Sequence, residues 1–137
     1  MNIVVIDGQG GKLGKGLVEA VLAKFPEARL TAVGTNTIAT AAMIKAGARR
    51  AATGENAVIV ACRDADFIVG PIGIVIADSL YGEITPAMAC AVGQSRACRV
   101  LLPMSKCENM VAGVREGMGM QELIDDAMER MAAQENC

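Results

Sequence analysis

The chain has no histidine, no tryptophan and only three aromatic side chains, Phe25, Phe67 and Tyr81, in 137 residues. Without histidine there is no imidazole base, no Ser–His or Cys–His nucleophile pair and no histidine-ligated metal. With so few aromatic rings there is no platform on which single-stranded bases could stack. Basic charge is equally scarce: the net charge is −2 and the pI about 5.1, so no phosphate-backbone surface and no nucleic-acid partner is expected. The longest apolar run, Ile72 to Ala77, falls far short of a membrane span. The five cysteines (Cys62, Cys90, Cys98, Cys107 and Cys137) are odd in number and lack Cys-x-x-Cys spacing. They indicate neither a disulfide framework nor a zinc knuckle. The first residues enter a strand pattern with no basic stretch or cleavage site before it, and a reduced, cytoplasmic protein is expected.

What the chain does have is aliphatic. Hydrophobic residues make up 53%, and Ala, Val, Ile, Leu and nine Met must fill the core. The length suits one domain, residues 1–137, with no repeat, linker or low-complexity tract. Ile3 to Ile6 is a short β-branched run, hence a strand. Leu13, Leu17, Val18, Val21, Leu22 and Phe25 recur at helical spacing up to Pro26. Leu30 to Val33 reads as a second strand ending at Gly34. A helix follows from Thr37, with Met43 and Ile44 inward and Gly47 as its stop.

Arg49 to Ala52 fits a short edge strand. Residues 54–62 are ambiguous, because Val58-Ile59-Val60 favours a strand while Thr53 resembles an N-cap. Helix is chosen there because Phe67 to Val69 then becomes the next parallel strand. Gly70-Pro71-Ile72-Gly73 breaks the chain, and an apolar segment continues to Leu80. Thr85-Pro86 is a helix start. Val100 to Leu102 is a strand stopped by Pro103, and Met110 to Val114 reads as another. Gln121 to Ala133 is a closing helix with Leu123, Ile124, Ala127, Met128 and Met131 inward. Alternating strands and helices imply α/β architecture: a single Rossmann-like, doubly wound, mostly parallel sheet with helices on both faces.

Between the first strand and first helix lies Gly8-Gln9-Gly10-Gly11-Lys12-Leu13-Gly14. Such a turn brings backbone amides and a helix dipole to an anion. The Gly-x-Gly-x-x-Gly fingerprint fails at Leu13. A Walker loop fails on spacing and on Gly16, where a magnesium-binding hydroxyl belongs. Laid on Gly8, Lys12 and Gly14, the turn resembles the Gly-x-x-x-Gly-x-Gly turn of short-chain dehydrogenases, with lysine for the middle glycine. The resemblance covers residues 1–35 and implies dinucleotide binding. It does not extend to their catalytic Tyr-x-x-x-Lys, since Thr85 stands four places after Tyr81. The competing explanation of the glycines is close strand–helix packing.

The stretches "IDGQGG", "AVGTNTIATAAMIKAGA", "ATGENAVIV" and "GPIGIVIADSLYGEITPAMA" resemble an uncharacterised bacterial Rossmann-like family, known only as a domain of unknown function. That resemblance spans nearly the whole chain and implies the fold without an activity. Lys12 departs from it, standing where members carry glycine.

Ligands of doubly wound sheets bind outside the carboxyl ends of the strands, where further loops meet the glycine turn. Thr35 and Asn36 follow the second strand, without the acid that holds the ribose of NAD. Their hydroxyl and amide suit a 2′-phosphate and favour NADP over NAD, although either residue could simply cap a helix. Gly70, Pro71 and Ile72 could pack on a flat ring or form a plain turn. Asp78, Ser79, Tyr81, Glu83 and Thr85 form a polar island fit for acid–base work or magnesium, or for a capped loop with Glu83 near a helix start. Lys106 adjoins Cys107 and could lower its pKa. Cysteines of such domains are mostly core, as the methionine stripe of the last helix should be.

The leading expectation is a binding or sensing domain for a dinucleotide such as NAD(P). The alternatives are a small enzyme acting on a phosphorylated metabolite through Asp78, Glu83 or Lys106, and an interaction module with a vestigial nucleotide site. A mean hydropathy of +0.37 predicts apolar surface hidden in a homo-oligomer, commonly a dimer.

Overall fold

The computed structural model describes residues 1–104 and 109–134. Its elements run β1 (Asn2–Asp7), α1 (Lys12–Lys24), β2 (Arg29–Gly34), α2 (Thr37–Lys45), β3 (Ala51–Thr53), α3 (Glu55–Ala61) and β4 (Phe67–Pro71). A 3₁₀ turn (Ile72–Val75) follows, then α4 (Pro86–Gln94), β5 (Cys98–Leu102) and α5 (Met120–Ala133). The five strands form one sheet in the order β3-β2-β1-β4-β5, and every pairing is parallel. This is the Rossmann-like α/β architecture expected. The strand order reverses between β1 and β4, so the crevice of such a sheet opens beside the carboxyl end of β1.

β1 is apolar throughout because both its faces are covered. Ile3 and Val5 pack beneath α1 and α5 with Leu17, Val21, Ile124 and Met128. Val4 and Ile6 point the other way, against α3, α4 and the 3₁₀ turn, with Val58, Ile74, Met88 and Val92. The inward stripe of α5 is the expected one, with Leu123, Ile124, Ala127, Met128 and Met131 all buried. Residues 55–61 are helical, so sheet order prevails over β propensity there. Thr85 caps α4 by accepting the Met88 N–H at 3.1 Å, and Pro86 takes the first helical position.

Four expectations are corrected. Met110 to Val114 forms no strand; residues 112–113 turn, with Gly113 at φ +88°, and β5 stays at the sheet edge. Ile44 is exposed, because Ala39, Thr40 and Met43 fill the inward line of α2 and Ile44 lies a further 100° round the helix. The N-cap of α3 is Gly54, while Thr53 ends β3 and bonds the Thr40 hydroxyl at 2.7 Å. The edge strand begins at Ala51, after Arg49 and Arg50. No helix among the described residues is long and apolar enough to cross a membrane.

Candidate functional site

In-register pairing of β1 with β2 sets Asp7 opposite Gly34, so the loops after the two strands leave the sheet side by side. The Thr35 N–H donates to the Asp7 carbonyl at 3.0 Å and locks them together. The turn after β1 closes with the Gly11 N–H on the Gly8 carbonyl, and α1 begins at Lys12.

The glycines of this turn differ in purpose. Gly11 caps α1 at φ +76°, and a Cβ there would lie 2.7 Å from Ala39 Cα and 3.0 Å from Ala42 Cβ. A Cβ on Gly14 would lie 2.7 Å from both Asp7 Cβ and Met43 Sδ. Close contact of α1 with β1 and α2 therefore accounts for both. Gly10 is another matter: it is exposed, and a Cβ there would meet nothing within 4 Å. Packing does not require it. Among the described residues, the N–H groups of Gly10, Lys12 and Leu13 donate no hydrogen bond, as befits a helix start with no side-chain cap.

Asp7, which sequence reasoning did not single out, is the buried acid of the site. It ends β1 at 6% exposure, and its Oδ2 accepts the Gly14 N–H at 2.6 Å. Burial pushes its carboxyl above the ordinary range, against hydrogen bonds from Gly14 and Gly8 and with a further rise from the charge of Glu83. The signal available in the sequence was an acid closing an otherwise apolar strand.

Glu83 reaches in from the loop before α4. Its Oε1 accepts from the Gln9 N–H at 3.0 Å, the Thr35 hydroxyl at 2.7 Å and Asn36 Nδ2 at 2.6 Å. Burial opposes its ionisation, but the bonds from Thr35, Gln9 and Asn36 outweigh it and lower the pKa. Asn36 serves two purposes, since its Oδ1 caps α2 on the Ala39 N–H while its Nδ2 also donates to the Gln9 carbonyl. Gly8, Gln9, Thr35, Asn36 and Glu83 thus come together.

Other expected site residues do not join this hydrogen-bonded cluster. Gly70 and Pro71 are the last residues of β4 rather than a free turn, and a Cβ on Gly70 would collide with the Ile6 carbonyl oxygen. Ile72 lines a groove of about 650 Å³ with Leu102, Val114, Met118 and Leu123. The Ser79 hydroxyl donates to the Gly73 carbonyl, and Asp78 is exposed at φ +65°. Ser105, Lys106 and Cys107 lie outside the described residues. The described residues gather no three metal-ligating side chains. Cys62 and Cys90 are free thiols, with burial pushing Cys62 up to about 11.

No curated protein and no solved structure matches this sequence. Residues 2–136 match the family model described as a domain of unknown function, DUF3842, and the chain belongs to that family.

Proposed function

We propose that the chain is a binding or sensing domain for a nucleotide with the phosphates seated on the turn after β1, a dinucleotide such as NAD(P) being the best fit. The observation that carries this reading is Gly10. It is exposed with open space at its own Cβ position, two residues before the first of the unbonded N–H groups of Lys12 and Leu13, at the end of β1 where doubly wound sheets bind nucleotides. The resemblance of the turn to that of short-chain dehydrogenases supports the same ligand class. Thr35 and Asn36, donors at the carboxyl end of β2, favour NADP over NAD. The test is native mass spectrometry of the purified protein, with a denaturing extract to identify what is released. One nicotinamide nucleotide per chain supports the reading, and failure to bind NAD or NADP at millimolar concentration defeats it.

A second reading, a small enzyme acting on a phosphorylated metabolite, draws on Asp7 and Glu83. Neighbouring carboxyls with pKa values pushed in opposite directions suit a proton donor and a base. It expects Glu83→Gln to abolish turnover while ligand stays bound. A homo-oligomer is proposed from Met110, Val111 and Val114, all exposed in the segment after β5. Light scattering at micromolar concentration tests it, and a monomer contradicts it.

A further inference from the structure

The segment Ile76–Ile84 crosses from the end of β4 toward the end of β2, and it passes over the glycine turn. Leu80 Cδ1 and Glu83 Oε1 stand 3.0 and 3.1 Å from the place of a Cβ on Gly8. Asp78, Leu80 and Tyr81 have φ values of +65°, +55° and +56°, conformations that cost a non-glycine residue about 1–2 kcal/mol.

The segment keeps its shape by its own hydrogen bonds. Asp78 N–H donates to the Ile84 carbonyl, Gly82 N–H to Asp78, Glu83 N–H to Leu80 and Ile84 N–H to Ser79. Its foot is fixed by Ile84, which is buried, and by Ser79 on Gly73. Its hydrogen bonds to the facing loops all end on one atom, Glu83 Oε1, which takes Gln9, Thr35 and Asn36 together. A strap built this way can lift without breaking its internal bonds, giving up the three bonds to that one atom and the packing of Leu80 against the core.

Two of those donors, Thr35 and Asn36, are the ones that the proposed reading gives to the 2′-phosphate of NADP, and Gln9 belongs to the glycine turn beside them. A carboxylate and a phosphate oxygen compete for the same N–H and O–H groups, and among the described residues no arginine or lysine takes part in the contact.

We propose that this strap is an autoinhibitory contact: Glu83 and Leu80 fill the ligand's place over Gly8, and a phosphorylated nucleotide binds only once the Glu83 carboxylate releases Gln9, Thr35 and Asn36. This rests on the reading of the glycine turn as a nucleotide site. It adds that the described conformation is the closed one. Ligand entry is then coupled to movement of Tyr81, which stands 92% exposed at the crest of the strap and could signal occupancy to a partner.

The test is calorimetric titration of NADP and NAD into the wild-type protein, Glu83→Gln and Glu83→Ala. Glutamine keeps the length of the side chain but accepts without charge, which roughly halves the strength of such a bond. Glu83→Gln should lower the dissociation constant for NADP about tenfold, and Glu83→Ala at least as much. If the alanine variant does not fold, the glutamine variant carries the test. Unchanged or weaker binding overturns the autoinhibition and leaves the nucleotide site standing. If neither nucleotide binds any form, the nucleotide reading falls, and sodium phosphate decides the strap, read from the amide resonances of Gln9 and Asn36. Shifts at about tenfold lower phosphate in Glu83→Gln uphold the competition. Shifts at equal concentration, or none, overturn it.

Discussion

The glycine turn has two halves that obey different constraints. The inner half, Asp7, Gly11 and Gly14, is built into the fold: each added carbon would strike a strand or helix, and the buried carboxylate satisfies an amide of α1. The outer half, Gln9, Gly10 and Lys12, is exposed, and at Gly10 an added carbon would meet nothing within 4 Å. The difference teaches that one run of glycines can answer two demands at once. Only the half that packing leaves unexplained supports the proposal of a ligand site.

Substitutions can break or sharpen that contrast, and the largest effects belong to the inner half. Gly11→Ala adds a left-handed alanine and a 2.7 Å clash with Ala39, and should cost about 2–4 kcal/mol in chemical denaturation. Gly14→Ala, wedged between Asp7 and Met43, should cost about 1–3 kcal/mol. If either proves neutral, the inner half does not pack as described. Asp7→Leu strands the Gly14 amide and should cost about 1–3 kcal/mol, whereas Asp7→Asn keeps an acceptor and should cost less.

The two acids should also give opposite pH dependences. Asp7 has a raised pKa in the folded chain, so the fold holds its proton more tightly than the unfolded chain does. Its contribution is complete below the ordinary carboxylate value and is lost as pH rises through the raised one. Glu83 has a lowered pKa, so its contribution is complete above the ordinary value and is lost as pH falls through the lowered one. Melting temperatures across pH should therefore lose their high-pH decline in Asp7→Asn and part of their acid-side decline in Glu83→Gln. Identical profiles for the wild type and both variants would remove the electrostatic account. The smallest stability effect belongs to Gly10→Ala, within about 0.5 kcal/mol of the wild type.

Much of this was legible in the residues. The apolar β1, the stripes of α1 and α5, the Thr85-Pro86 cap and the parallel alternation all follow from local pattern, which the packing reinforces. Where pattern failed, local conformation decided. Val111 and Val114 look like strand residues, but Gly113 turns the chain between them. Ile44 looks like core, yet the helical angle carries it outward.

At the site, the meeting of Thr35 and Asn36 with the turn follows from strand register. The arrival of Glu83 depends on a strap with three non-glycine residues in left-handed conformation, which no periodicity encodes. Asp7 was visible as an acid at a strand end, but its burial comes from α1 closing over it.

The most direct test of the nucleotide site is calorimetric titration of NADP into the wild-type protein and Gly10→Leu, with melting temperatures measured on both. The account predicts one NADP per wild-type chain, at least tenfold weaker binding by the variant (about 1.4 kcal/mol) and nearly equal melting temperatures. Equal binding by the two proteins, or none by the wild type, would contradict it.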